Sequence, residues 1–205
     1  MSAFLGPIHF WLYRKIELQE ALSDVLANKA AENGVCFSGA QEVAAALPPL
    51  EKVIDESNIH GWLQERIFRA EQRYAEIVGS VLADAPQLWP LLLEEAERFG
   101  RRHAFEENLT APAAFQSLEG FFLNGMPCDH TNLVVEQDER RVLWQQTKDL
   151  HGVFWQDVDG KERRYEALRL RVMAGLLSRS GFTVKRQSSG ACELSVEKKG
   201  ESDDV

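Results

Sequence analysis

The spacing of the apolar residues changes at Gly125, and that change limits the folds open to this chain. Before Gly125 they recur every three to four residues, as on one face of a helix; after it they mostly alternate, as in half-buried strands. Ile8, Leu12, Ile16, Leu22, Val25 and Leu26 mark a helix over residues 7–32. Pro7 fits its first turn and Gly34 its stop. Ser38 with Gln41 reads as the capping box of a short helix ending at Pro48 and Pro49. A second long periodic stretch spans 58–83, after the acidic lead-in of Asp55 and Glu56. Asp84 and Pro86 open a helix through Trp89, Leu92, Ala96 and Phe99, and Thr110 with Pro112 opens one more, ending near Asn124.

Beyond Gly125, residues 131–135 and 140–147 read as paired strands around a polar turn, and 149–155 as a third strand closed by Asp159 and Gly160. Residues 162–180 return to helical spacing, with Tyr165, Leu168, Val172, Met173 and Leu176 on one side. Residues 182–184 and 192–196 then alternate around Ser188, Ser189 and Gly190, the pattern of a hairpin. The expected class is α+β: a helical region over 1–125, a small antiparallel region over 126–197 crossed by one helix and packed with the first as one unit, and a disordered polar tail over 198–205.

An internal match is the most specific signal. Ile8, His9, Trp11, Leu12 and Ile16 return as Ile59, His60, Trp62, Leu63 and Ile67, with Lys15 answered by Arg66 and Glu20 by Glu71, all at an offset of 51 residues. Read as a repeat of 7–32 by 58–83, it implies two related helices. His9, Leu12 and Ile16 share one helix face, as do His60, Leu63 and Ile67, so both imidazoles are expected to face inward. Glu20 and Glu71 fall three turns further along that face, about 16 Å from the histidine of their own helix. The long connector permits the two helices to run parallel, with both histidines at one end.

These positions define the candidate site. Both histidines stand near helix N-termini, where the dipole favours the neutral imidazole that a metal requires. Cys128 and His130, two apart in Met126-Pro-Cys-Asp-His130, share a side if the chain is extended there, and His151 follows on the expected third strand. The leading expectation is therefore a transition metal, or a metal-bearing cofactor, held by His9, His60, Cys128, His130 and His151 between the helices and the sheet. Such N and S donors suit zinc or iron. The first alternative is a metal-free module that binds or senses a small molecule in a tryptophan-lined pocket, with Trp11 and Trp62 against the ligand. The second is a thiol enzyme with Cys128 as catalytic nucleophile. Each of these residues also has a plain structural role open to it: a core histidine, a packed tryptophan, a turn cysteine.

Other features narrow the field. The 205 residues carry 23 Lys+Arg against 32 Asp+Glu, a formal net charge of -9, which argues against a nucleic-acid partner. There is no long apolar run to span a membrane and no secretory signal at Met1. Three widely spaced cysteines make no disulfide framework, so a cytoplasmic setting is expected. The arginines at 163, 164, 169, 171 and 179 read as the solvated face of the last helix. No Walker loop, GxGxxG, GxSxG or HExxH motif occurs. Neither a reaction nor an oligomeric state follows from the residues.

Overall fold

Gly6 and Pro7 decide where the first helix starts. Gly6 is extended, Pro7 takes the first helical position, and the imidazole of His9 reaches back to accept the Gly6 N–H at 2.9 Å. In a computed structural model, which describes residues 4–37, 47–158, 160–187 and 190–196, this helix, α1, runs Pro7–Ala31. It stops before Gly34, whose φ of +90° suits a residue without a Cβ. Asn58 caps α2 (Ile59–Asp84) by accepting the Gly61 N–H, and Thr110 caps α4 (Ala111–Phe121) by accepting that of Ala113. Between them lies α3 (Trp89–Arg102), entered through a single turn at Pro86–Leu88. The helix expected after Ser38 and the tail from 198 lie outside the described residues.

The two long helices are parallel and nearly in register. The His9 ring lies 5.6 Å from that of His60, and Tyr13 lies 6.0 Å from Trp62. Further along, the Arg73 guanidinium donates to Glu20 at 2.6 Å and to Asp24 at 2.5 Å. Each contact joins residues about fifty positions apart, which only a parallel arrangement allows. Leu12, Ile16, Leu50, Ile59, Leu63 and Ile67 form a small apolar cluster at the histidine end. The main core lies beyond it, where α2, α3, α4 and the last helix meet the sheet.

The sheet has four antiparallel strands in the order β1 (Asn132–Gln137), β2 (Arg141–Gln146), β4 (Cys192–Val196) and β3 (Phe182–Arg186). Helix α5 (Lys161–Leu176) connects the two hairpins and crosses the sheet. Val142 pairs with Leu194, and Trp144 with Cys192, which in turn pairs with Arg186. Directly opposed residues share a face, so Trp144, Cys192 and Arg186 make one row across three strands. Val142 and Leu194 are fully buried against the helices, and Phe115 of α4 packs on Trp144 with ring centres 5.0 Å apart. On the other side of α5, Gly100 of α3 meets Gly175. A Cβ on either would fall 2.2 Å from a backbone carbonyl oxygen of the other helix, so the pair lets the two backbones touch.

Residues 149–155 do not form the third strand expected from their sequence. They make consecutive turns instead. Asp149 Oδ1 accepts the N–H of His151 at 3.0 Å and of Gly152 at 2.8 Å, and Phe154 N–H donates to the His151 carbonyl at 2.9 Å. An Asp side chain that binds its own following amides replaces the ladder a strand would need. The segment folds inward at His151 and Trp155 and leaves Val153 exposed.

Candidate functional site

His151 is brought to the centre of the molecule by the Asp149 turn, and its partner comes from α2. Its Nδ1–H donates to Glu71 Oε2 at 3.1 Å, with both side chains almost completely buried. Tyr165 of α5 lies flat on the imidazole, with ring centres 4.2 Å apart and planes 23° from parallel. Trp155 stands edge-on to Tyr165 at 5.4 Å and to Tyr74 at 5.3 Å. Both tyrosine hydroxyls are pushed well above their ordinary range by burial. In the neutral tautomer that donates through Nδ1, His151 Nε2 is a bare lone pair.

Next to this group the structure holds a cavity of about 340 Å³. It lies between α5, the β2–β4 face and the turns of 149–155, and its walls include His151, Trp155, Tyr165, Trp144, Arg169 and Cys192. Two buried side-chain nitrogens of these wall residues, His151 Nε2 and Trp155 Nε1, have no hydrogen-bond partner among the described residues. The second is a donor, and the first is an acceptor when the ring is neutral.

Arg169 supplies charge. It is 7% exposed, and its Nη1 donates to Asn124 Oδ1 at 2.8 Å and to the Tyr165 hydroxyl at 3.1 Å. Its guanidinium also covers the Phe122 ring at 4.7 Å. The carboxylates nearby are bound elsewhere. Glu119 accepts from Asn132 at 2.6 Å and from Asn124 at 3.4 Å, while Glu166 pairs with Arg186 at 3.5 Å. Lys15 of α1 completes this interior; burial pushes its ammonium down to about 8, with Glu119 opposing and Arg169 assisting the shift. Burial and Glu166 push the Cys192 thiol up to about 11, so it stays a weak donor, 3.9 Å from Glu166.

The residues singled out in the sequence are distributed differently from the expected cluster. His9 and His60 do meet, but only His9 is buried; His60 is exposed, because the first turns of α2 turn Ile59 and Leu63 into the α1–α2 seam instead. His9 Nδ1 spends its lone pair on Gly6 N–H, which places the proton of a neutral ring on Nε2. Trp11 and Trp62 lie away from the cavity walls, each under a cation one turn on: Lys15 at 4.1 Å and Arg66 at 4.7 Å. That pairing gives the Trp-x-x-x-Lys/Arg match a local reason.

Cys128 and His130 are not on an extended chain. Pro127–Asp129 form a single tight turn closed by Asp129 Oδ2 on the Met126 N–H, and His130 takes a left-handed conformation at φ 48°. Both side chains are exposed. Among the described residues no three of His, Cys, Asp and Glu come together as a metal ion would need. Of the expected ligands, His151 alone lines the cavity.

Glu71 and Arg169 carry the part of the site that sequence reading underweighted, and each had a signal. Glu71 falls on the same stripe as Ile67, Tyr74 and Val78, and Arg169 on that of Tyr165, Val172 and Leu176. A charge on an apolar stripe is a buried charge, and buried charges need partners. Arg169 therefore departs from the solvated face expected for the arginines of α5. The chain matches no protein-family model, no curated protein and no solved structure.

Proposed function

We propose that this protein binds a small molecule, without a metal, in the cavity walled by His151, Trp155, Tyr165 and Arg169, as a binding or sensing module. The observation that carries the reading is the pair of buried, unpartnered nitrogens. A buried polar atom without a hydrogen bond costs about 1–3 kcal/mol, so native folds seldom keep one that serves nothing. Here both nitrogens belong to residues that line one cavity, packed among its aromatic rings. The volume is in the range of small-ligand sites. No helix among the described residues is long and apolar enough to cross a membrane.

The test is a screen of a small-molecule library by thermal shift and tryptophan fluorescence, on protein dialysed against chelator. Saturable binders are expected without added metal. Trp155→Phe, which removes one N–H and keeps an aromatic filler, should weaken them about tenfold by calorimetry. His9→Ala should leave them unchanged. A response that requires zinc or iron, and that His9→Ala or His60→Ala abolishes, would instead support the metal reading at the paired histidines. A library without a single saturable binder would refute the cavity as a ligand site.

A further inference from the structure

The charge balance of the cavity narrows its ligand. A guanidinium held inside a protein normally has a carboxylate or phosphate as direct partner, since taking the ion out of water is costly. Arg169 is only 7% exposed, yet its hydrogen bonds go to two neutral oxygens, the amide of Asn124 and the hydroxyl of Tyr165. Arg169 takes part in no ion pair among the described residues, whereas Arg186, on the same cavity, is paired with Glu166. Asn124 and Tyr165 engage one nitrogen of the fork, Nη1. They hold the group in place as a positioned cation.

The other walls set the rest of the ligand. In its neutral form, with Nδ1–H on Glu71, His151 offers Nε2 as an acceptor for an N–H or O–H. Trp155 Nε1–H asks for an acceptor. Trp155, Tyr165 and Trp144 provide ring faces and edges, which favour a flat partner.

Resting on the cavity reading above, we infer that the ligand is a small planar carboxylic acid, of one or two rings, that also carries an N–H or O–H donor. Its carboxylate lies on Arg169, and its donor meets the neutral ring of His151, which Glu71 holds through Nδ1. Arg186 and Lys148 stand on the rim as bystanders: Arg186 is held by Glu166, and Lys148 Nζ donates to the Asp129 carbonyl at 2.8 Å.

The probes are two matched pairs, 4-hydroxybenzoate with 4-hydroxybenzamide and indole-3-carboxylate with indole-3-carboxamide, titrated into the full chain by calorimetry. In each pair shape and donor are kept and only the charge changes. At least one carboxylate is expected to bind about tenfold or more tighter than its amide, the scale of a charge-assisted hydrogen bond. Arg169→Gln should bring that ratio close to one, and Arg186→Gln should leave it intact. Should Arg169→Gln fail to fold, Arg169→Lys keeps the charge but loses the fork, and the ratio should fall while some preference for the acid remains.

Equal affinity within both pairs, or loss of the preference in Arg186→Gln rather than Arg169→Gln, would overturn the inference and leave the cavity as a binding site. Library binders that are all neutral, with none of the four probes bound, would do the same. Absence of any binder in the library and among the probes would remove both.

Discussion

Gly175→Ala adds one methyl group where the structure has no room for it. The new Cβ would stand 2.2 Å from the Glu97 carbonyl oxygen, 2.6 Å from Arg101 N and 2.8 Å from Gly100 Cα. All three are backbone atoms of α3, so no side chain can swing away. Restoring ordinary contact at 3.4 Å requires α3 and α5 to part by roughly 1.2 Å. That displacement loosens the seam of Leu92, Ala96, Phe99, Leu168, Val172 and Leu176, all buried. Overpacking of this kind costs about 1–3 kcal/mol, and rigid backbone on both sides puts this site at the upper end. Alanine returns up to about 1 kcal/mol through helix propensity. The net expectation is a loss of about 2 kcal/mol, or a melting temperature lower by about 4–8 °C in a chain of this size. Urea denaturation followed by circular dichroism should show a lower midpoint at unchanged slope. Gly120→Ala is the control, because the nearest atom to its added Cβ is Trp11 Nε1 at 3.7 Å. There the propensity gain is unopposed and stability should rise by about 0.5–1 kcal/mol. If Gly175→Ala matches wild type, or gains as Gly120→Ala does, the close helix crossing is not what the structure shows.

Lys15 gives a pH dependence of definite sign. Its folded value of about 8 lies below the unfolded 10.5, so between these values the unfolded chain binds more protons and wild-type stability rises with pH. Relative to Lys15→Met, wild type should gain up to about 3 kcal/mol as the pH is raised through that window, and a constant difference between about pH 7 and pH 10.5 would refute the burial of the ammonium. Alkylation with iodoacetamide should separate the three cysteines: Cys36 and Cys128 are exposed, whereas Cys192, with its thiol held near 11, should react at least about tenfold more slowly. Cys192 reacting as fast as the exposed pair would contradict its placement, and Cys128 far outrunning Cys36 is what a catalytic thiol at that position requires.

The helical half was legible because its instructions are local. Pro7 at a first helical position and Thr110 as a cap act within three residues, and the stripe of Leu12 and Ile16 against Leu63 and Ile67 needs nothing beyond helical period to be read. The long connector permitted, without deciding, the parallel arrangement that brings His9 to His60. The hairpin of β3 and β4 was equally plain from its alternation. Residues 149–155 misled because Asp149 takes two amides that a strand would have offered to a neighbour. Periodicity counts apolar positions and is blind to such side-chain competition.

The candidate site belongs to a different category. Sequence alone marked His151 as worth watching, but it read Glu71 only as part of the internal match and Arg169 as solvated, although both lie on apolar stripes where a charge must find a partner. It could not say which partner. Glu71 and His151 are 80 positions apart, and Asn124 and Arg169 are 45. Pattern reasoning works at the scale of one turn or one strand, whereas these contacts depend on how α2, α4, α5 and the 149–155 turns dock. Only the packed structure fixes that docking, through the Gly100–Gly175 crossing and the row of Trp144, Cys192 and Arg186 across the sheet. The chain's sequence determined that there would be long amphipathic helices and an antiparallel sheet. Tertiary packing decided that a histidine, an arginine and two tryptophans would face one cavity, because burial forces each polar group to the few partners that reach it.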